Sequence, residues 1–205
     1  MIEIESNTPT ALAGLQELFA SATHDASAAM CRWTDGVISV ALDKLKQVPL
    51  EEIAEELAIG DEMLTMVVMA LGGDLGGSLI LMFDEPNGRQ LAASLLGRSP
   101  TAQPEWSELE KSALMETGNI LGCAYVNALT RLIGKDLHPS APYFIQDFAA
   151  SVLQQAVVTQ AAASDSLLLC EIVFRREGNK LDWRVVFVPS PGLQESLQTS
   201  LHAAS

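Results

Sequence analysis

The chain has 205 residues, of which 48% are hydrophobic and 19% charged, and its formal net charge is −14 at pH 7. The apolar content excludes a mostly disordered chain, and the length allows one domain with a sizeable buried core. The strong negative charge disfavours nucleic acids and anionic lipid surfaces as partners, because both are polyanions.

The sequence predicts neither a membrane span nor a secretory signal. Its apolar runs are only strand-sized, and residues 1–10 (MIEIESNTPT) lack a basic region and an apolar region. The cysteines, Cys31, Cys123 and Cys170, are odd in number and far apart, which fits neither a disulfide framework nor a zinc site. We therefore expect reduced thiols, no metal site and a cytoplasmic protein, with Cys123 as a small packing residue.

In the first half of the chain, the sequence predicts a long helix followed by strands and shorter helices. Leu12, Leu15 and Phe19 recur at helical spacing. The glycine-rich stretch 72–77 indicates a hairpin turn and not a phosphate-binding loop, because it lacks the GxxxxGK[ST] pattern. In chain order, the predicted elements are a helix at 10–34, a strand at 37–42, a helix at 49–57, strands at 64–71 and 78–83, and a helix at 87–96.

The second half repeats this order. Glu17 and Glu116 occupy matching places in the two long helices, which indicates duplication of a half-domain. We predict a single domain over 1–205, built of pseudo-repeat halves at about 10–98 and 106–203. Its expected fold class is α+β, with the long helices covering an antiparallel sheet. The predicted elements are a helix at 106–133, an extended stretch at 135–145, a helix at 149–163, strands at 167–175 and 181–188, and a helix at 191–203.

The second long helix carries a polar stripe, formed by Ser112, Glu116 and Asn119. At about 100° per residue these side chains fall on one narrow side of the helix, away from its apolar face, so we expect them to be available to a partner. Gly118 and Gly122 lie in mid-helix, where glycine costs about 1 kcal/mol relative to alanine. Such small residues allow either a close partner or tight packing on the sheet. Taken alone, the stripe also fits an ordinary solvated helix face.

The polar stripe matches the first three places of the pattern [DS]-x₃-E-x₂-N-x₂₂-P, and Pro142 matches the last. This pattern resembles the active-site motif of the CheC/CheX/FliY family of chemotaxis phosphatases. The ETGNI segment around Asn119 and the hairpin and helix over 73–97 are also similar to this family. The resemblance covers nearly the whole chain from about residue 10. It implies a pseudo-twofold CheC-like fold with two long helices on one antiparallel sheet.

The resemblance also implies an activity, hydrolysis of the aspartyl phosphate on a CheY-type response regulator. Asn119 would position the attacking water, because an amide donates and accepts hydrogen bonds but has no accessible protonation change at neutral pH. Glu116 would dock the regulator, with Ser112 and Pro142 as supporting residues. The Mg²⁺ ion belongs to the regulator, so no cofactor of the chain's own is implied.

The first half lacks a complete copy of the motif. Glu17 occupies the glutamate place, but Ala13 and Ala20 stand where serine or aspartate and asparagine are required. The proline place falls on Asp43. We therefore expect one working site, on the second long helix.

Other functions stay open at this point. The resemblance admits a non-catalytic binding module, either an adaptor for the receptor deamidase CheD or a flagellar-switch component. Asn119 favours the enzyme, because an adaptor needs no water-positioning amide one turn away from a carboxylate. A third interpretation is an acidic α+β protein whose helix face is merely solvated.

Overall fold

The chain folds into helices around one antiparallel sheet. The computed structural model describes residues 9–57, 63–73, 75–100, 103, 105–148, 151, 166–176 and 179–204. In chain order the elements are α1 (Pro9–Trp33), β1 (Ser39–Pro49), α2 (Ile53–Glu56), β2 (Met63–Gly73), β3 (Gly77–Phe83), α3 (Glu85–Leu95), α4 (Glu108–Ile133), β4 (Leu137–Pro139), β5 (Tyr143–Phe148), β6 (Ser166–Arg176), β7 (Asn179–Pro189) and α5 (Pro191–Ala204).

Two hairpins form the middle of the sheet. The strand order is β1-β6-β7-β3-β2, and β4 and β5 both pair with the remaining edge of β2. The hairpins β2–β3 and β6–β7 meet where β3 pairs antiparallel with β7. The predicted α+β class, with two long helices on one antiparallel sheet, is confirmed. The division into halves at 10–98 and 106–203 stays a prediction.

Prolines interrupt the pairing along the outer edge of β2. Pro139 ends β4 and Pro142 precedes β5, and proline has no backbone N–H to donate to a neighbouring strand. Ser140 bridges the interruption: its N–H donates to the Ala70 carbonyl at 2.8 Å, and its Oγ accepts from the Ala70 N–H at 3.0 Å. The half-buried Pro142 is therefore held in a short connection that stays tied to β2.

One face of the sheet packs against α1 and α4. Phe19 of α1 contacts the ring of Tyr125 in α4, with centroids 5.2 Å apart, and the ring of Phe187 in β7, with centroids 5.9 Å apart. Thr23 donates its hydroxyl proton to the Phe19 carbonyl, so the Tyr125 hydroxyl is the donor in its 2.9 Å hydrogen bond to Thr23. This buried contact joins the two long helices and satisfies the tyrosine hydroxyl.

The opposite face of the sheet is apolar as well. In β2, Val67 and Met69 belong to the helix-side core, whereas Met66 and Val68 belong to a second core on the other face. A strand that is buried on both faces has a continuous apolar sequence instead of an alternating one. The second core contains Val48, Ile53, Leu57, Met66, Val68, Ile80, Met82, Leu169, Val186 and Val188.

Two sequence predictions in the first half are wrong in extent. The strand predicted at 37–42 continues as β1 to Pro49, and the helix predicted at 49–57 shortens to α2. In the part of β1 that was not predicted, Lys46 forms ion pairs with Glu56 of α2 and Glu171 of β6, which tie the longer strand to its neighbours. The helix predicted at 149–163 lies outside the described residues, apart from Ser151.

Candidate functional site

A buried ionic network fixes the beginning of α4. Ser107 and Glu110 form a capping box, in which each residue's backbone N–H donates to the other's side chain. The Glu110 carboxylate, only 1% exposed, also pairs with Arg89 and Arg98 at 3.2 Å each. Arg89 lies 3.9 Å above the ring centroid of Trp106. The sequence analysis missed this network, although the Ser-x-x-Glu spacing was a visible signal for the helix start.

The mid-helix glycines lie on the sheet side of α4. Gly118 lies over Val67 and Gly122 lies over Met69, and both glycines are buried. Of the two interpretations left open by the sequence, tight packing on the sheet is therefore the correct one. This packing turns the polar stripe away from the sheet.

The polar stripe lies on the outer side of α4. Ser112 and Glu116 are exposed, and Asn119, one turn after Glu116, is half-buried. Within the described part of the chain, Glu116 forms no hydrogen bond or ion pair. Its carboxylate oxygens can therefore accept hydrogen bonds from a partner molecule. The structure places these three side chains on one side of α4, with Ser112 and Glu116 accessible to a partner.

A groove lies between α1 and α4 beside Asn119. Its volume is about 310 Å³. An ion pair links its two walls, with the Arg131 guanidinium of α4 3.6 Å from the Asp25 carboxylate of α1. Small side chains on both helices leave the space open. The groove is lined by Asp25, Ala26, Ala29, Asn119, Ile120, Cys123, Ala124, Asn127 and Arg131.

Cys123 contacts the side chain of Asn119. The thiol donates to Asn119 Oδ1, with a sulfur–oxygen distance of 3.6 Å. Burial, together with the nearby Glu116 carboxylate, raises the pKa of Cys123, which keeps the thiol protonated. Cys123 was expected to be only a packing residue, and its contact with the polar stripe is a feature that sequence reasoning missed.

The remaining motif places lie on other elements. Pro142 lies between β4 and β5, and α4 packs against both of these strands. On α1, Ala13, Glu17 and Ala20 are all exposed. The incomplete first-half motif therefore also faces away from the sheet, but it presents two methyl groups where the second half presents a hydroxyl and an amide.

The described residues show free thiols and no metal centre. Cys31, Cys123 and Cys170 form no disulfides. Across the described ranges, no group of three or more His, Cys, Asp or Glu side chains could hold a metal ion. Among the helices described, none combines the length and the apolar character needed to cross a bilayer.

Two curated relatives are similar to this chain, although no family model matches it. The CheY-P phosphatase CheC of Bacillus subtilis is 24% identical over 152 residues, which cover 73% of this chain and 72% of that protein. CheC1 of Halobacterium salinarum is 21% identical over 128 residues, or 62% of this chain. That second match spans 65% of the relative's own length.

Solved structures share the whole architecture at low sequence identity. FliY of Thermotoga maritima has a TM-score of 0.76 and 18% identity, covering 97% of this chain and 99% of that one. The FliM middle domain of H. pylori has a TM-score of 0.68 and 12% identity, covering 94% and 99%. A chain of the CheX–CheY–BeF3–Mg²⁺ complex from Borrelia burgdorferi has a TM-score of 0.54 and 18% identity, covering 85% and 97%. In fold and in sequence, this chain therefore resembles the CheC/CheX/FliY family.

Proposed function

We propose that this protein is a phosphatase that hydrolyses the aspartyl phosphate of a CheY-type response regulator. One observation carries the proposal: Glu116 and Asn119 lie one turn apart on the accessible side of α4, at the spacing of the family motif. Two similar proteins are named CheC, one of them a CheY-P phosphatase. A chain from a complex with CheY shares the fold, which also supports the proposal.

Asn119 would orient the water that attacks the phosphoryl group. Phosphoryl transfer depends mainly on positioning and on charge neutralisation, and in this substrate the regulator's own Mg²⁺ supplies the latter. The Asn119 amide can accept a hydrogen bond from water through Oδ1 and donate one to a phosphoryl oxygen through Nδ2. Its contribution is orientation and not proton removal, because the amide does not titrate near neutral pH.

Glu116 would hold the regulator in register. Its exposed carboxylate, which forms no ion pair within the described part of the chain, suits a charge-assisted hydrogen bond to a cationic group beside the regulator's phosphorylation site. Such a contact strengthens when the closed interface excludes solvent and salt. Ser112, one turn before Glu116, and Pro142, in the connection tied to β2, would support this surface.

The decay of a phosphorylated CheY-type regulator in Mg²⁺ tests the proposal. The wild-type protein should accelerate the decay, and Asn119→Ala should abolish most of the acceleration without unfolding the protein. Asn127→Ala is a matched control, since it removes an exposed amide from the same helix. Equal acceleration by the wild type and Asn119→Ala would refute the assignment of Asn119.

The second candidate is a non-catalytic binding module. Chains from the FliM–SpeE and FliG–FliM complexes of H. pylori share the fold, with TM-scores of 0.69 and 0.67 and identities of 12% and 10%. In both structures FliM is in complex with another protein, which favours a binding role for this architecture. If no regulator of the host loses its phosphate faster in the presence of this chain, direct binding to CheD and to flagellar-switch proteins becomes the next measurement.

A further inference from the structure

Asn119 is held by a neighbour that lies outside the four-place motif. The Cys123 thiol, one turn further along α4, donates to Asn119 Oδ1 across 3.6 Å. Both side chains line the groove between α1 and α4. We propose that Cys123 is a positioning residue that fixes the orientation of the Asn119 amide, an inference that rests on the proposed phosphatase function.

The chemistry of the thiol selects one orientation of the amide. A thiol has one weak S–H donor, which the amide oxygen can accept and the amide nitrogen cannot. An amide rotated by half a turn would lose this hydrogen bond and place its N–H₂ group against the sulfur, which is only a weak acceptor. Cys123 thus disfavours the orientation in which the oxygen and nitrogen of Asn119 exchange places.

When Cys123 holds the Asn119 amide, both Oδ1 and Nδ2 stay available for the proposed reaction. Oδ1 has two lone pairs, so it accepts from Cys123 and from one water together, and Nδ2 retains both of its protons. Burial and the Glu116 carboxylate raise the pKa of the thiol. Cys123 therefore remains a donor at neutral pH, which a thiolate could not be.

Amide relaxation and kinetics together test the inference. The ¹⁵N relaxation of the Asn119 side-chain N–H₂ group reports its mobility, and the Asn119→Ala spectrum identifies its signals. Cys123→Ala should raise this mobility and lower kcat by about two- to tenfold, the value of one hydrogen bond, without changing KM. Cys123→Ser retains a hydrogen-bond donor. It should therefore keep the Asn119 amide more rigid, and kcat higher, than Cys123→Ala does. Cys31→Ala is the matched control, because this thiol donates to the Ile38 carbonyl, distant from the polar stripe in sequence.

The double variant separates positioning from a general structural effect. In the Asn119→Ala background, Cys123→Ala should cause no further loss of activity, because the group that it positions is absent. A further loss of the same size as in the wild-type background would overturn the inference, and so would unchanged mobility of the Asn119 amide in Cys123→Ala. If the wild-type protein does not accelerate dephosphorylation, the proposed function fails, while the relaxation data still decide whether Cys123 fixes the amide.

Discussion

Val67 of β2 lies directly beneath Gly118 of α4, and a Cβ atom at position 118 would stand 2.5 Å from Val67 Cγ1. Val67 is fully buried and β-branched, so its side chain cannot rotate away freely. A Cβ at Gly122 would stand equally close to the Cε of Met69, but an unbranched methionine can move its end. The glycine at 118 therefore sets how closely α4, with its polar stripe, approaches the sheet.

Alanine substitutions at three helix glycines should destabilise the protein to different degrees. The loss of unfolding free energy should be largest where the opposing side chain is least able to move. Gly118→Ala should lower the free energy of unfolding by about 1–3 kcal/mol, the usual cost of overpacking. Gly122→Ala should cost less. Gly14→Ala should be close to neutral, because among the described residues its Cβ would meet the end of the Leu201 side chain at 3.0 Å and nothing else, and alanine gains up to about 1 kcal/mol of helix propensity. Urea unfolding measures the three values, and equal stabilities would contradict the ranking.

Glu116 and Glu17 form a matched pair of exposed glutamates on the two long helices. Glu116→Ala should raise KM for the phosphorylated regulator about tenfold or more and lower turnover, because a hydrogen bond to a charged group is lost. Glu17→Ala should change neither parameter. The rate of dephosphorylation as a function of regulator concentration checks both variants. An unchanged concentration dependence in Glu116→Ala would count against its docking role.

Restoring asparagine in the first half should not create a second site. In the Asn119→Ala background, Ala20→Asn places an exposed amide on α1 one turn after Glu17. Activity should stay at the level of Asn119→Ala, since Ala13 and Asp43 still differ from the motif. The phosphorylated-regulator assay detects any recovery. A clear recovery would show that the first half retains a latent site.

Glu110 should contribute far more to stability than its neighbour Glu108. Glu110→Ala leaves the buried Arg89 guanidinium without this carboxylate and opens the capping box, so a loss of about 3–5 kcal/mol is expected. Glu108 is 89% exposed and pairs only with Lys111 among the described residues, so Glu108→Ala should cost less than about 1 kcal/mol. Unfolding of both variants in denaturant measures the two losses of unfolding free energy. Similar losses would show that the buried network is not what stabilises the start of α4.

The ends of α4 were predictable because local chemistry marks them. Ser107 with Glu110 gives the pattern of a capping box, and Gly134 adopts the left-handed conformation, φ 64°, that commonly follows a helix. The burial of Glu110 was not predictable, because the same pattern caps exposed helices. The burial of Glu110 depends on Arg89 and Arg98, which precede α4 in the chain and pair with the Glu110 carboxylate.

Contacts between distant segments set the limit of the sequence analysis. Strand-like runs on either side of turns located the hairpins β2–β3 and β6–β7, but no local pattern indicates that β1 pairs with β6 or that β3 pairs with β7. The spacing of Glu116 and Asn119 placed them on one helix side without any knowledge of α1. The groove beside Asn119 could not be foreseen in the same way, because Asp25 and Ala29 reach it from the other long helix.

The network around Glu110 also bears on the thermodynamics of recognition. A helix whose first turn is already capped and ion-paired gives up little backbone conformational entropy when another protein settles on it. More of the contact energy then appears as affinity, because association does not first have to order the surface. A partner that docks on α4 should therefore find the backbone of this surface unchanged by binding, as in lock-and-key recognition.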